Sequence, residues 1–152
     1  MFTLVPAQFF DPASARKALA EVADLEDGTV VEHLEIPQYG AVLVYAADGD
    51  SAVVDKPEIY RLLMRLPGCP EYNKILCSIA DDRLYLAISQ GKSLLLANSF
   101  PVQEFTTAQY YIFLSLKSLQ LNPEISTICW LSPLDAEDEM SLYRYFKSVV
   151  RL

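Results

Sequence analysis

The sequence predicts an α/β fold built on a mixed sheet, and three observations support this class. Three strand-like segments between residues 74 and 100 are joined by two-residue turns, which is typical of an antiparallel meander. A helix signal follows from Thr106, and another apolar strand, residues 125–131, comes after that helix. A strand reached through a helix can lie parallel to the first strand of the same sheet. We therefore expect both strand directions in one sheet.

The first 70 residues are predicted to form a partial α/β half. A short strand ends at Val5, and Asp11-Pro12 is a preferred helix start that begins a helix running to Val22. Two strands follow at residues 29–36 and 41–47, joined by a turn at 37–40. The buried face of the first helix is predicted to be Ala15, Leu19 and Val22.

A second helix in this half is predicted from Pro57 to Leu66, after an Asp55-to-Glu58 capping box. Pro67-Gly68 ends it. Its apolar residues recur at i, i+3, i+4 and i+7, which indicates one buried face. The predicted buried residues are Ile59, Leu62, Leu63 and Leu66.

The second half begins with the meander, whose strands are predicted at residues 74–80, 83–89 and 92–100. Asp81-Asp82 and Gln90-Gly91 are its two turns. A Thr106-x-x-Gln109 capping box then begins a helix that runs to Leu121. That helix is expected to bury Tyr111, Ile112, Leu116 and Leu119.

The last element is predicted to be a helix from Ala136 to Val150, capped by Asp135. Its acidic first turn and its basic end, Lys147 and Arg151, both suit the helix dipole. The expected buried face is Leu142, Tyr145, Phe146 and Val149.

From about residue 71 the predicted order is thus β-β-β-α-β-α, which is the order of the ribonuclease H-like fold, the building block of actin-like ATPases. We accordingly predict two parts: residues 1–70 as a partial first half and residues 71–152 as a ribonuclease H-like second half. The division rests on hairpin turns and helix caps, not on a functional motif.

Composition excludes several functions. The chain has 152 residues, 52% of them hydrophobic, and a net charge of −8. Since like charges repel a phosphate backbone, nucleic acid is not an expected partner. No apolar stretch approaches the roughly 20 residues of a membrane helix, and no secretory signal is evident, so we predict a cytoplasmic protein away from the membrane. The three cysteines, Cys69, Cys77 and Cys129, are interpreted as small core residues.

Several spaced segments resemble the bacterial domain-of-unknown-function family 3822. They are Phe2-Thr-Leu-Val-Pro with Phe10-Asp-Pro, the run from Leu84 to Phe100, and Tyr110-Tyr-Ile-Phe113. The resemblance covers most of the chain and implies an actin-like ATPase fold of unknown function. In that family the Phe-Thr-Leu-Val-Pro segment lies well inside the chain, after a β-meander and a helix. We therefore expect this chain to lack the family's N-terminal β-meander.

The resemblance also implies where a nucleotide would lie, because actin-like ATPases hold phosphates on glycine-containing hairpin turns. The matching turn here, Asp81-Asp82, has no glycine and carries two carboxylates. Both residues are at most weak candidates for cofactor binding, and a solvated turn is the simpler interpretation. No ATP or Mg²⁺ is expected on this chain alone, and both remain possible only in a longer protein.

Other catalytic patterns are absent from the sequence. A two-metal nuclease would need carboxylates on the first and beside the fourth strand of the second half, and those strands have none. His33, the single histidine, has Glu32 and Glu35 nearby but no nucleophile motif, so we interpret it as a surface residue. The acidic run Asp135–Glu139 lacks the spacing of a calcium loop.

The sequence thus favours a non-catalytic scaffold or protein-binding module, with ATP binding in a longer protein as the alternative. Without the family's first strands, Phe2–Val5 would have an unpaired edge, and the inner face of the first helix would have no cover. Unpaired apolar edges pair readily with other chains. We therefore expect self-association, or a protein partner, through the N-terminal segment.

Overall fold

The computed structural model describes residues 1–47 and 56–152, and the chain divides into two compact units, Met1–Pro57 and Glu58–Leu152. The predicted division at residue 70 differs from this one by a helix, α2 (Glu58–Arg65), and the turn after it. This helix is part of the second unit because it packs against that unit's sheet. The sequence also predicts that Asp48-Gly49-Asp50 ends the strand at residues 41–47 as a loop. That loop and Asp55 of the predicted capping box lie outside the described residues.

The described residues of the first unit form a three-stranded antiparallel sheet and one α-helix. The strands are β1 (Phe2–Pro6), β2 (Val30–Ile36) and β3 (Ala41–Ala47), in the order β1-β3-β2, and the helix is α1 (Ala15–Ala20). β3 is central and has four consecutive buried residues, as its apolar sequence predicts. Gly40 ends the β2–β3 turn with a φ of 59°, a conformation that glycine adopts without steric cost.

α1 is shorter than predicted. Asp11 caps the predicted start by accepting a hydrogen bond from the Ala13 backbone N–H at 3.0 Å, but the first turn is a 3₁₀ helix. Ala15 and Leu19 are buried against β3, as expected. Val22 is 62% exposed, so its predicted place on the buried face is wrong. The reason is that the chain leaves the helix after Ala20, with the N–H groups of residues 22 and 23 both turning back to the Leu19 carbonyl.

The N-terminal strand is better covered than the sequence suggested. β1 pairs antiparallel with β3 from Phe2–Tyr45 to Pro6–Ala41, so Phe2–Val5 is paired along one edge. The inner face of α1 is covered by its own sheet, because Val42 and Val44 of β3 pack beneath it. The expectation of an uncovered helix face is therefore wrong, because β3 covers α1. β1 is an outer strand, so its other edge has no partner strand among the described residues, as the sequence predicted.

The second unit contains a five-stranded sheet in the order β6-β5-β4-β7-β8. β4 pairs antiparallel with β5 and parallel with β7, β5 pairs antiparallel with β6, and β7 pairs parallel with β8. This mixed sheet confirms the predicted fold class. The strands are β4 (Asn73–Ala80), β5 (Arg83–Gln90), β6 (Ser93–Pro101), β7 (Thr127–Trp130) and β8 (Ser148–Arg151), and the helices besides α2 are α3 (Phe105–Ser118) and α4 (Ala136–Tyr143).

The C-terminal segment corrects one prediction. α4 ends at Tyr143, and residues 148–151 form β8 where we expected helix to continue. The Lys147 N–H donates to the Ser126 carbonyl at 3.1 Å, which begins the pairing with β7. Val149 and Val150, which follow, are β-branched residues, and such residues favour a strand. Val149 is still buried, but Tyr145 is 48% exposed, so its predicted burial is wrong.

The two basic residues predicted at the end of the last helix have other roles. The Lys147 ammonium pairs with Glu71 at 2.9 Å, and Arg151 on β8 pairs with Glu139 of α4. Both pairs are at least half exposed on the basic side, and exposed pairs of this kind contribute little to stability. The acidic first turn of α4 therefore suits the helix dipole as predicted. Lys147 and Arg151 lie beyond the end of α4, so their predicted interaction with the dipole is wrong.

α3 also differs from the prediction in how it begins. Its N-cap is Glu104 and no side chain caps it, so the predicted Thr106 capping box is wrong. The helix starts two residues earlier than predicted, and the Phe105 ring in its first turn packs on the core beside Trp130, with ring centroids 5.7 Å apart. Ile112 and Leu116 are buried as expected, while Tyr111 and Leu119 are half-buried against the same core.

The main core lies on the face of the sheet covered by α3 and α4. Alternating residues of β4 and β5 point into it, including Leu84, Leu86 and Ile88 as predicted. α2 buries Ile59, Leu62 and Leu63, with Leu66 just after it, as its periodicity predicts. No helix in the described part of the chain is both long and apolar enough to cross a membrane.

Candidate functional site

The candidate site is the edge of the five-stranded sheet where the parallel strands end. β4, β7 and β8 run in the same direction, so their carboxyl ends share this edge with the turn between β4 and β5. Ligands of open α/β sheets bind outside the carboxyl ends of the strands. The Asp81-Asp82 turn, the candidate from sequence, therefore lies where a ligand would be sought.

The Asp81-Asp82 turn has a left-handed backbone that is common in β-hairpins. Ala80 pairs with Arg83, and the two aspartates between them have φ angles of 50° and 56°. Two successive left-handed residues define the type I′ hairpin turn, which favours asparagine, aspartate and glycine. Both aspartates are exposed. Their carboxylates are solvated, as the simpler interpretation of the sequence proposed.

Two contacts fix this turn against the end of β6. The Asp82 carbonyl accepts a hydrogen bond from the Val102 N–H at 2.9 Å. The Arg83 guanidinium donates to the Ser99 hydroxyl from Nε at 3.3 Å and from a terminal nitrogen at 3.0 Å. The Arg83 guanidinium, next in the chain after the Asp81 and Asp82 carboxylates, is thus hydrogen-bonded to β6.

On the α2 face of the sheet, a buried serine holds a carboxylate. The Ser78 hydroxyl of β4 donates to Glu58 Oε1 at 2.9 Å, and Arg61 pairs with Glu58 Oε2 at 2.8 Å. Burial raises the pKa of Tyr85 in this region, the Arg83 charge opposes that rise, and the Asp81 and Glu58 carboxylates add to it. Arg61 and Arg83 thus lie among these carboxylates on this side of the edge.

Ser132, just after β7, closes the end of the parallel pair. Its hydroxyl oxygen accepts from the Ile79 backbone N–H at 3.0 Å and from the Trp130 indole N–H at 2.9 Å. The Leu131 N–H also donates to the Cys77 carbonyl at 2.8 Å. Ser132 is therefore a structural residue that joins β4 to β7, and its acceptor capacity is used.

The N-terminus of α4, which follows β7 at this edge, is already occupied by its own side chain. The Asp135 carboxylate accepts from the Asp138 N–H at 2.8 Å, as the predicted cap requires. Partial burial raises the pKa of Asp138, and the negative charges of Asp135 and Glu137 raise it further. A helix N-terminus attracts phosphate through free N–H groups and its dipole. At the N-terminus of α4, the Asp135 carboxylate lies where a phosphate would bind.

The residues of this edge do not fit a nucleotide with its magnesium ion. A phosphate site needs N–H groups and cations, and this edge presents Asp81, Asp82 and the acidic first turn of α4. Among the described residues, no group of three or more His, Cys, Asp or Glu side chains could hold a metal ion. We derive no catalytic step from this edge.

The remaining candidates from sequence are structural or exposed. Cys69, Cys77 and Cys129 are buried free thiols, as predicted. Burial raises the pKa of Cys77, and a hydrogen bond between Cys69 and Cys129 lowers the pKa of Cys69 and raises that of Cys129. His33 is exposed on β2, with its ring centroid 4.9 Å from that of Phe10.

Sequence reasoning missed Ser78 and Ser132, and it gave Glu58 a capping role, whereas the Glu58 carboxylate contacts Ser78 and Arg61. Ser78 has a signal in the sequence, since it is the single hydroxyl in an otherwise apolar stretch of β4. A polar residue at such a position needs a buried partner. Glu58 and Ser132 have no comparable signal, because their roles depend on groups 20 and 53 residues away.

Removing one carboxylate from the turn is expected to stabilise the protein. Asp82→Gly places glycine at the second left-handed position and produces the Asp-Gly pair that type I′ turns favour. Left-handed backbone costs an L-residue roughly 1–2 kcal/mol, and the added chain entropy of glycine offsets part of that gain. We expect a rise of up to about 1 kcal/mol in the free energy of unfolding, measured with urea.

Asp81→Asn is the matched control for charge, because asparagine tolerates the same backbone. It should change stability by less than about 0.5 kcal/mol. A loss of stability in Asp82→Gly would show that the Asp82 carboxylate makes a stabilising interaction, contrary to its exposed position.

Comparison with known proteins agrees with this fold. A solved structure from Bacteroides thetaiotaomicron, described as a protein with actin-like ATPase fold and unknown function, is similar to this chain with a TM-score of 0.80 and 18% sequence identity. The similarity covers 99% of this chain and 64% of that protein, so this chain spans less than two thirds of its length. The expected actin-like ATPase fold is confirmed.

No curated protein matches the chain significantly. The family described as "Protein of unknown function (DUF3822)" matches residues 59–149, which include α3, α4 and most of the five-stranded sheet. This match confirms the resemblance to this family for the segments from Leu84 to Phe113, while the N-terminal segments at residues 2–6 and 10–12 lie outside the matched residues. Because it spans more than half of the chain, the protein belongs to the DUF3822 family.

Proposed function

We propose that this chain is a non-catalytic scaffold or protein-binding module of the cytoplasm. The observation that carries the proposal is the acidic carboxyl edge of the sheet. There, a glycine-free turn presents two exposed aspartates, and the neighbouring helix N-terminus is capped by Asp135. These groups repel phosphate, so the fold is used for something other than nucleotide chemistry.

The charge of the chain supports a protein as the partner. With a net charge of −8, binding to nucleic acid would require close approach of like charges. Protein surfaces, in contrast, are bound through exposed apolar and aromatic side chains. Both units of this chain expose such residues.

One proposed surface is on the N-terminal unit, for a protein partner or for self-association. Its exposed apolar residues include Phe9 at 73%, Val22 at 62% and Val30 at 50%. β1 and β2 are also the two outer strands of the three-stranded sheet. An outer strand can accept a further strand from another chain.

A nucleotide titration tests the non-catalytic assignment. We expect isothermal calorimetry to show no micromolar binding of Mg-ATP by residues 1–152, because the candidate edge offers carboxylates to the phosphates. A control titration with the Asp81→Gly/Asp82→Gly double variant removes both charges from the turn. Micromolar affinity in the unaltered chain would contradict the proposal.

A second candidate function is ATP binding in a longer protein, of which this chain would be a part. The observation that favours it is that the chain covers 64% of the similar actin-like structure. Thermal unfolding of a longer protein with and without Mg-ATP separates the two. A rise of several degrees that disappears without Mg²⁺ would favour the ATPase.

A further inference from the structure

Two of the three buried thiols, Cys69 and Cys129, meet on the α2 face of the five-stranded sheet. Cys129 lies in β7 between Ile128 and Trp130, which both belong to the core covered by α3 and α4. Because side chains alternate along a strand, Cys129 points to the opposite face of the sheet. A hydrogen bond joins its thiol to that of Cys69. We call Cys69 and Cys129 the thiol pair.

The segment that carries Cys69 is aligned with β7. The carboxylate of Glu71, two residues after Cys69, is hydrogen-bonded to Thr127. Thr127 lies two residues before Cys129 on β7. The two short segments therefore run in opposite directions, with a contact at each end. Because both ends are bonded, the position of the thiol pair does not depend on the sulfur contact alone.

Cys69 is the buried residue of an otherwise exposed segment. It is 2% exposed, whereas residues 67–68 and 70–72 on either side are exposed. The segment makes a single short turn, in which the Cys69 N–H donates to the Leu66 carbonyl at 3.0 Å. Exposed turns with few buried contacts open locally at a small cost in free energy. A small oxidant can therefore reach Cys69 without unfolding of the sheet.

Lys74 places a positive charge beside this segment. Its ammonium donates one hydrogen bond to the Cys69 carbonyl and another to the Glu71 carbonyl, the latter at 2.9 Å. Both acceptors are main-chain oxygens of the turn, so the ammonium is held between them. The fold thus fixes a cation next to one member of the thiol pair.

The surroundings of Cys69 favour its thiolate. The hydrogen bond with Cys129 has the largest effect and lowers the pKa of Cys69. Burial raises that pKa, the Lys74 charge lowers it, the Cys77 thiol raises it and the Arg65 charge lowers it, in decreasing order. The same hydrogen bond raises the pKa of Cys129, so Cys129 keeps its proton. Since the thiolate is the nucleophile, the two residues have different roles.

We propose that Cys69 and Cys129 form a reversible disulfide in response to hydrogen peroxide. The Cys69 thiolate attacks one peroxide oxygen, an S–O bond forms as the O–O bond breaks, and the hydroxide that leaves takes a proton from solvent to become water. The Cys129 sulfur then attacks the sulfenic sulfur. The S–S bond forms as the S–O bond breaks, and the second hydroxide leaves with the Cys129 proton as water.

The overall reaction converts two thiols and one peroxide into one disulfide and two water molecules. The two sulfurs lose two electrons in total, and the peroxide gains both. A low-molecular-weight thiol reverses the reaction by thiol–disulfide exchange, in which that thiol is oxidised. The pair therefore needs no metal or cofactor.

Cys77 is not part of the pair, although it is the third buried thiol. It lies in β4 with its side chain in the core under α3 and α4, on the other face of the sheet from Cys129. Burial raises its pKa. Buried thiols in apolar surroundings are inert. Cys77 is therefore an internal control within the same chain.

The disulfide would change the stability of one specific segment. It would tie the connection between α2 and β4 to β7, so the exposed turn could no longer open alone. Transient disulfides of cytosolic proteins are usually catalytic or redox-sensing. We therefore expect the pair to act as a redox switch on the second unit. This role goes beyond the proposed binding function and does not depend on it.

Peptide mapping of the full chain tests the pairing without any substitution. Trypsin places the three cysteines on separate peptides, residues 66–74, 75–83 and 118–144. After treatment with a few equivalents of peroxide and unfolding in iodoacetamide, we expect the first and third peptides to be linked and Cys77 to be alkylated. Dithiothreitol should separate the linked peptides. In the oxidised protein, hydrogen exchange of the amides in residues 66–72 should slow by about tenfold or more.

Cys129→Ser separates the two steps of the reaction. Serine keeps a donor for Cys69 but cannot form a disulfide, so sulfenic acid on Cys69 should accumulate and react with dimedone. Cys77→Ala is the matched control and should form the disulfide like the unaltered chain. Circular dichroism should show that both variants are folded.

Lys74→Met tests the role of the cation. Without that charge the pKa of Cys69 rises, less thiolate is present at pH 7, and oxidation followed by intact mass should slow about fivefold. The rise of the rate with pH should also shift to higher pH. Lys74→Arg keeps the charge and should restore the rate and the pH dependence.

Three results would overturn the proposal: Cys69 and Cys129 alkylated separately after peroxide, a link that includes Cys77 instead, or no dimedone adduct on Cys69 in Cys129→Ser. Hydrogen exchange that is equal in the reduced and oxidised proteins would exclude the switch. None of these measurements uses Mg-ATP or a protein partner. A failure of the proposed function is therefore distinguishable from a failure of the thiol pair.

Discussion

Replacing Trp130 by alanine is expected to lower the free energy of unfolding of the second unit by about 3–5 kcal/mol. Trp130 is 1% exposed, at the end of β7, and its ring packs on the core beside Phe105. Its indole N–H also donates to Ser132, which joins β4 to β7. The substitution therefore leaves a large cavity and removes one hydrogen bond at the candidate edge.

Urea unfolding followed by far-UV circular dichroism measures this loss. Trp130→Phe is the matched control, because it keeps an aromatic ring and loses the N–H donor. That donor is expected to account for about 0.5–1.5 kcal/mol, with a further small loss of packing. If Trp130→Ala unfolded at the same urea concentration as the unaltered protein, the position of β7 in the sheet would be contradicted.

Ile112→Ala is expected to cost about 2–5 kcal/mol, the usual range for truncating a fully buried aliphatic side chain. Ile112 is 0% exposed and lies in the face of α3 that covers the sheet. The helix has buried neighbours on both sides of this residue, Ala108 and Leu116, so the cavity cannot close easily.

Tryptophan fluorescence in urea is a specific measurement here, because Trp130 is the single tryptophan and reports on the second unit. Ile125→Ala is the matched control, since the same side chain is 67% exposed there. It should change stability by less than about 0.5 kcal/mol. Equal effects of the two substitutions would mean that the buried face of α3 has been misassigned.

Much of the second unit was predictable because its signals are local. The hairpin turns at Asp81-Asp82 and Gln90-Gly91 determine where three strands begin and end, and the structure has them within one residue of the predicted bounds. The Asp135 cap is local too, since the side chain bonds to the N–H three residues later. Turn and cap chemistry depends on a few adjacent residues, which a sequence displays directly.

The candidate site was predictable only in part. The sequence located the turn and showed that it lacks glycine and carries two carboxylates. It could not show that Arg83 is engaged by Ser99, or that Ser78 holds Glu58. These pairs are 16 and 20 residues apart, and no periodicity relates them.

The sequence by itself determined the order of the elements as far as α4, the mixed α/β class and the net charge of −8. Only the tertiary structure decided whether residues 148–151 continue a helix or form β8, because their side chains suit both. Pairing with β7 decides for the strand. The tertiary structure also decided that β3 pairs with β1 and packs against α1. It further decided that Tyr110 is exposed while Ile112 is buried. Burial and pairing depend on which distant segments meet, and that information is absent from local sequence patterns.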